Sequence, residues 1–433
     1  MKHNPYDRPI NAPLPYCHFK NQKTITKPRK KFRTRRLFIR LALFSIVLAI
    51  FAFSPASGGI FANNTSPGNN ILDDLTNNVN DQLGNIDFGD LDDIANNLTN
   101  NDFNLFGTGS FTDMVGRILR GQFAEDYPNV FAALLSMMAG IITGVLPMVV
   151  LIVAISILCG FVQTMRHTSG GDGVRDIIHF VAYAAVISIV LYAVVDVVAT
   201  TGRTLGSMQR QMDVIFPILL TLMTSIGSTA SAGVYQPAVV MLSSGVMQIF
   251  QLVVMPLFII TLVFSVVGNL SQSTRFDKFV SFFTSCFKWI LGVAFTVFLA
   301  FLTIQGISAG THDGISIRAA RLTISSYIPY LGGYLSQGFD LIMASSILIK
   351  NAIGVAGLYL LFGVVMGPVV SIVVLGLGLK LAAAITQPIG DPRISNFLTS
   401  INKSFSMLLA CIIGAAFMYF LTIGLVIMTG NVL

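Results

Sequence analysis

Six long apolar runs constrain this chain more than any other feature. They occupy residues 131–162, 177–199, 236–268, 280–304, 341–379 and 404–428. About 20 consecutive apolar residues are enough for a helix to cross the hydrocarbon core of a bilayer, and only 11% of all residues are charged. The sequence therefore predicts an all-α, polytopic membrane protein with six or seven transmembrane helices.

The charged residues divide the chain into three zones. Residues 1–40 carry twelve Lys/Arg and one acid, residues 57–130 carry eleven acids and two arginines, and residues 131–433 carry thirteen basic and eight acidic residues. Basic segments next to membrane helices stay in the cytoplasm. We therefore expect the basic tail, 1–36, to be cytoplasmic and the acidic segment, 57–130, to be exported.

The apolar run between these two zones has two interpretations. "KPRKKFRTRR" precedes "LALFSIVLAIFAF" and the small residues "SPASGG" follow it, which is the pattern of a secretory signal peptide. Counted from Leu37, with Arg40 reaching the interface, the run could instead remain as an anchor. Residues 37–56 are thus predicted to be a signal peptide or a signal anchor.

The exported segment is rich in Asn and Asp and has apolar residues near a helical period. This composition favours a solvated acidic linker with weak amphipathic helices. The alternative is a docking segment for a partner outside the membrane.

Some apolar runs are too long for one straight crossing. Residues 236–268 would reach roughly 50 Å as a helix, against a hydrocarbon core of about 30 Å. A kink, tilt or break is expected there, and Pro256 is the natural place.

Several sequence matches indicate an internal duplication. An offset of 112 residues pairs Pro217 with Pro329 and Pro256 with Pro368. Further along the chain "FFTSCFK" pairs with "FLTSINK", and "FLTI" recurs as "FLTI". The sequence thus predicts two tandem, pseudo-symmetric repeats that contain Pro-broken or re-entrant helices, and leaves open whether the copies are parallel or inverted.

The duplication divides the membrane region into three parts. Two transmembrane helices at 131–205 come first, the first repeat follows at 206–307, and the inter-repeat link and second repeat occupy 308–427. A broken helix at membrane depth must be buried in protein or line a cavity. We therefore expect a cavity between the two copies.

Residues suited to catalysis are scarce. Glu125 is the single glutamate, and no H-E-x-x-H or C-x-x-C spacing occurs. Paired acid/base and metal-binding arrangements need such residues close together. We expect no enzymatic activity, no cofactor and no metal.

Charged and polar residues near the apolar runs are the candidate functional positions. Lys350 and Asn351 interrupt a long apolar run, where a charge normally faces a partner or a cavity. Arg318 and Arg321 share one helical face in the polar link, and could serve a partner surface or anchor the link at the interface. The candidate channel or partner surface is Asp313, Arg318, Arg321, Lys350, Asn351, Lys380 and Gln387.

Collinear motifs in the second half resemble a known family. "QGISAGTHDGISIRAAR", "IPYLGG", "SSILIKNAIG", "KLAAAITQPIG" and "MTGNVL" resemble the stage III sporulation protein AE family of endospore-forming bacteria. The family's recurring positions fall here on Asp313, Gly314, Arg318, Arg321, Pro329, Lys350, Asn351, Lys380, Gln387 and Pro388. The resemblance supplies no catalytic residues.

The resemblance implies a function and its partners. It implies a multi-pass protein of the mother-cell membrane around the forespore, in a channel or secretion complex needed after engulfment. Its partners would be other membrane and ring-forming proteins of the same operon, its ATPase and membrane lipid, with no nucleic acid. An autonomous small-molecule secondary transporter is the alternative, because duplicated broken helices also fit that class.

Overall fold

The computed structural model describes residues 69–99, 110–122, 127–165, 172–270, 276–309, 332–389 and 392–429, which contain helices and no strand. The helices are α1 (Asn69–Gly84), α2 (Gly89–Thr99), α3 (Phe111–Leu119), α4 (Tyr127–Met165), α5 (Asp172–Ser225), α6 (Thr229–Val240), α7 (Met247–Ile249), α8 (Met255–Leu270), α9 (Asp277–Ala309), α10 (Gly332–Ile389) and α11 (Pro392–Met428). The predicted all-α class is confirmed for this part of the chain.

Six helices are long and apolar enough to cross a membrane. They lie within α4, α5, the α7–α8 region, α9, α10 and α11, and coincide with the six apolar runs of the sequence. Large apolar side chains are exposed on the outer surfaces of α4, α8 and α9, as expected for helices that face lipid. The predicted multi-pass membrane protein is therefore confirmed.

The centre of the fold is an antiparallel hairpin of α10 and α11. These two helices pack extensively against each other, and α4 and α5 pack against α10. Within the described residues of α11, Met428 is the one large apolar side chain that is strongly exposed. Helix α11 therefore packs mainly against other helices of the chain.

Two glycines let neighbouring helices approach α10 closely. A Cβ atom on Gly354 would lie 2.4 Å from Ile427 Cγ1 of α11, and one on Gly357 would lie 2.7 Å from Ile215 Cδ1 of α5. Contacts this short are far inside van der Waals range. Glycine at these two positions therefore fixes the distances from α10 to α11 and to α5.

The acidic segment, 57–130, is folded where the structure describes it. Phe88, Leu91 and Phe111 are buried, and Ser110 caps α3 in a capping box with Asp113. Helices α1 and α3 pack against α10, and α2 packs against α5. The expectation of a solvated linker is wrong for these residues, because their apolar faces are covered by the membrane helices of the same chain.

The helix break predicted at Pro217 is not found, since α5 continues through this residue. The chain reverses at Ile226–Ser228 instead, where Gly227 has a φ of 88°. The Gly227 amide donates to the Thr224 carbonyl and the Ser228 amide to the Met223 carbonyl, a Schellman motif that ends a helix at a left-handed residue.

Pro256 and Pro368 also lie within or at the start of continuous helical structure. Helix α10 continues through Pro368. Near Pro256 the hydrogen bonding changes instead of breaking, and π-helical segments occupy Met241–Val246 and Phe250–Val254. A proline has no N–H to donate to the preceding turn, and a change of hydrogen-bond register accommodates this deficit.

The duplication stays a prediction. Each proposed copy ends in a helical hairpin, α8–α9 in the first and α10–α11 in the second. However, the 112-residue offset maps the turn at Ile226–Ser228 onto residues 338–340, which lie inside α10. The basic tail, the segment 37–56, and Asp313, Arg318, Arg321 and Pro329 lie outside the described residues.

Candidate functional site

Lys350 is a buried cation inside α10, next to the C-terminal end of α11. It lies on α10 with no exposed surface, and its Nζ donates to the carbonyl oxygen of Ile427 at 3.2 Å and to that of Thr429. The carbonyl groups in the last turn of a helix lack intrahelical donors, and a positive charge is favourable there. Lys350 therefore caps the C-terminal end of α11.

The capped end of α11 is also tied to α6. The hydroxyl of Thr429 lies 3.1 Å from the hydroxyl of Tyr235, which belongs to α6, and 2.8 Å from the Leu425 carbonyl. Tyr235 is almost fully buried. Three helices thus meet at one polar junction inside an otherwise apolar core.

One turn before Lys350, α10 binds helix α1 of the acidic segment. The side-chain amide of Gln82 in α1 donates to Ser345 Oγ at 2.9 Å, and the Ser346 hydroxyl donates to Gln82 Oε1 at 3.0 Å. Both serines are buried. We call Gln82, Tyr235, Ser345, Ser346, Lys350 and Thr429 the Lys350 cluster.

The Lys350 cluster fixes the relative positions of four elements. Its hydrogen bonds connect α10 with α1, with α11 and, through Thr429, with α6. Within the described residues no group of three or more His, Cys, Asp or Glu could hold a metal ion. The hydrogen bonds of the cluster hold these helices together around a buried charge.

The other candidate positions of α10 differ from Lys350. Asn351 is half-buried, and its Oδ1 is buried without a hydrogen-bond donor among the described residues. Lys380 and Gln387 are exposed and lie about 45 Å or more along the helix from Lys350. The structure therefore does not bring these candidates together.

Lys380 follows the apolar run 341–379 but does not lie at a helix end. Helix α10 continues to Ile389, so Lys380 lies inside it. The residues between Lys380 and Gln387, "LAAAIT", include three alanines, and alanine has the highest helix propensity. A local change from apolar to charged residues marked the end of the apolar run, not the end of the helix.

Sequence reasoning missed most of the Lys350 cluster. Only Lys350 stands out, as a charge within an apolar run. Gln82 lies 263 residues before Ser345 and Tyr235 lies 194 residues before Thr429, so neither spacing gives a local signal. Uncharged polar residues inside apolar runs are the single hint that the sequence offers.

We expect Gln82→Leu to loosen α1 while leaving the membrane helices intact. The substitution removes two side-chain hydrogen bonds and leaves buried hydroxyls at Ser345 and Ser346, at a cost of about 1–3 kcal/mol. Amide hydrogen exchange in residues 69–84 should accelerate roughly tenfold. Asp81→Ala, at the exposed neighbouring position, is the control and should leave exchange unchanged; equal exchange in both variants would contradict the anchoring role.

Comparisons with known proteins place these helices in a family. A sequence model described as "Stage III sporulation protein AE (spore_III_AE)" matches residues 109–430. The chain is also 26% identical over 280 residues to the protein named "Stage III sporulation protein AE" of Bacillus subtilis (strain 168), covering 65% of this chain and 70% of that protein. No solved structure matches. Since the match extends from α3 to the end of α11, the chain belongs to the stage III sporulation protein AE family.

Proposed function

We propose that this protein is an integral membrane component of the channel or secretion complex that joins mother cell and forespore, and that endospore formation requires it after engulfment. The family match over residues 109–430 carries this proposal, because it includes all six membrane-capable helices. The protein would lie in the mother-cell membrane that surrounds the forespore.

The architecture supports a role as one component among several. Helix α1 is held against α10 by the Lys350 cluster, α3 packs against α10 and α2 packs against α5, so these three helices would form a fixed surface on one side of the membrane domain. Ring-forming partners of the same operon would bind on that side, and the operon's ATPase would act from the cytoplasm. Asp313, Arg318 and Arg321 remain proposed parts of a partner surface.

Deletion and purification together test the proposal. Cells lacking the protein should complete engulfment but fail to express a late forespore reporter, and the full-length chain should restore it. A tagged chain, purified from sporulating cells after mild cross-linking, should carry the ring-forming partners. Normal reporter expression in the deletion strain would overturn the proposal.

An autonomous transporter is the second candidate. The observation that favours it is a hairpin in which two π-helical segments interrupt regular α-helix geometry, as in transporter folds with discontinuous helices. Solute uptake by the purified chain alone in liposomes, with no partner recovered from cells, would favour this candidate over the channel component.

A further inference from the structure

Three charged residues (Asp, Glu, Lys or Arg) interrupt the six apolar runs of the membrane helices: Asp196, Lys288 and Lys350. Lys350 is buried and binds the end of α11. Asp196 on α5 and Lys288 on α9 are instead exposed, and neither has a hydrogen bond or an ion pair in the part of the chain that the structure describes. A charge in a membrane helix normally faces a partner or a water-filled cavity, so each indicates a surface with a function in binding.

The α4–α5 hairpin places Asp196 within an exposed apolar surface. Residues 166–171 join these two helices, which pack against each other. Asp196 and Ile141 are both 25 residues from this connection, so they lie at the same level of the hairpin. Leu135 and Met138 of α4, which lie beyond this level, are exposed apolar side chains. The apolar surface of the hairpin therefore continues past Asp196.

Lys288 also lies within an exposed apolar surface. Phe279 and Phe282 precede it on α9, Val293 and Val297 follow it, and all four side chains are exposed. From Phe279 to Val297 a helix rises about 27 Å. The cation is thus not at an end of the apolar surface of α9.

Helix α11 packs against both α5 and α9, so the levels of the two charges can be compared along it. Helix α5 contacts α11 through two ring pairs with centroids 5.6 and 5.7 Å apart: Tyr183 with Phe397, and Phe216 with Tyr419. Asp196 is 13 of the 33 residues along α5 between these contacts. The same fraction of the way along α11 is at about Ser406.

Helix α9 runs parallel to α11. The segment α6–α8 begins beside the C-terminal end of α11, where the hydroxyls of Tyr235 and Thr429 lie 3.1 Å apart, and α8 packs along α11 in the opposite direction. Phe264 of α8 stacks on Phe283 of α9, so α9 folds back against α8. Its direction is therefore that of α11.

One close approach gives the level of Lys288. A Cβ atom on Gly414 of α11 would lie 2.7 Å from Phe295 Cε2 and 3.9 Å from Leu291 Cδ1, so Gly414 faces α9 midway between these two residues. Lys288 precedes that midpoint by five residues and is level with about Leu409. The two charges therefore lie within about one helical turn of each other in depth, roughly 5 Å.

The two charged positions have complementary surroundings. Tyr192, four residues before Asp196, is 83% exposed, and residues four apart lie on the same side of a helix. Lys288 lies in a groove of α9 whose lining includes the small residues Gly292 and Thr296. Small residues let a neighbouring membrane helix approach closely. A projecting ring beside an acid thus matches, at the same depth, a groove beside a cation.

We propose that α5 of one copy of this chain binds α9 of a second copy in the same membrane, with Asp196 paired to Lys288. Copies in one membrane share a single orientation, so two surfaces can meet only if they lie at the same depth. Because the two surfaces belong to different helices, the contact is heterologous, and repeated contacts of this kind close into a ring when the rotation between copies permits. The inference rests on the proposed function only for what the assembly serves.

Cysteine cross-linking tests the pairing. Asp196→Cys and Lys288→Cys would be combined in the full-length chain, with its four native cysteines replaced by alanine, in membranes of non-sporulating cells. A short, membrane-permeant bis-methanethiosulfonate is suitable, because an Asp–Lys pair holds its Cβ atoms further apart than the roughly 3.5–4.5 Å of a disulfide. The double variant should form dimers and higher oligomers, and each single variant should remain monomeric.

Depth and symmetry supply the controls. Asp196→Cys with Ile304→Cys uses exposed positions on the same two helices but moves the second one about 24 Å along α9, and should not cross-link. Dimers from Lys288→Cys alone would mean that two α9 helices meet symmetrically, which overturns the heterologous pairing. A double variant that stays monomeric at normal membrane abundance would overturn it as well.

Charge reversal tests the ion pair itself. Two differently tagged copies would be co-expressed in non-sporulating cells and purified through one tag, so a failure here is distinguishable from a failure of the proposed function. Asp196→Lys in both copies opposes like charges and should lower recovery of the second copy roughly tenfold or more, and Lys288→Asp should act in the same way. The chain that carries both exchanges restores opposite charges and should recover association. Equal recovery from all four chains, or no rescue by the double exchange, would overturn the ion pair.

Discussion

Replacing Lys350 with methionine should reduce heat-resistant spore formation by orders of magnitude while the protein still inserts into the membrane. Methionine preserves most of the side-chain volume but removes the ammonium that binds the Ile427 and Thr429 carbonyls. Each buried carbonyl left without a donor costs about 1–3 kcal/mol. The C-terminal end of α11 should therefore separate from α10 and α6.

Lys403→Met is the control for this substitution. It removes the same charge from an exposed position on α11, so we expect normal spore counts. Membrane abundance of both variants would be compared by immunoblot. Wild-type spore counts with Lys350→Met at normal abundance would mean that the buried charge is dispensable.

Gly354→Ala should lower the free energy of unfolding by about 1–3 kcal/mol, the usual cost of overpacking a core. The new Cβ would lie 2.4 Å from Ile427 Cγ1 and 2.6 Å from Ile427 Cδ1, so α10 and α11 must move apart or Ile427 must change conformation. Either change displaces the carbonyl groups that Lys350 binds. Thermal unfolding in detergent would measure the loss.

The same helix supplies the control for this prediction. A Cβ on Gly338 meets no atom within 4 Å, so Gly338→Ala should be neutral or stabilising by about 0.5–1 kcal/mol, as in an exposed helix position. Adding Ile427→Ala to Gly354→Ala should recover part of the lost stability by making space. Equal stability of Gly354→Ala and Gly338→Ala would contradict the close approach.

The fold class was predictable because hydrocarbon thickness leaves few alternatives for an apolar run. Each of the six runs became a membrane-capable helix. The prolines were poorer predictors of where a helix breaks. A proline removes one hydrogen bond and adds one steric clash, and the neighbouring helices decide whether the helix ends, bends or continues. At Pro217 the helix continues, and Gly227, which tolerates a positive φ, ends it ten residues later.

Of the candidate site, only the charged residue could be predicted from the sequence. Lys350 could be identified because a charged residue within an apolar run normally faces a partner or a cavity. Its acceptors are backbone carbonyl groups at Ile427 and Thr429, and a carbonyl has no signature in a sequence. Gln82 was equally hidden, since one glutamine in an acidic, Asn-rich segment gives no indication that it binds Ser345 and Ser346.

The Lys350–Ile427 hydrogen bond joins residues 77 positions apart, and this separation has a consequence for biosynthesis. At translation rates of about 5–20 residues per second, Lys350 is made roughly 4–15 s before its acceptors. During that interval α10 carries a charge that α11 does not yet satisfy. Helix α10 should therefore stay at the insertion machinery until α11 arrives, so that the two helices enter the bilayer together as one hairpin.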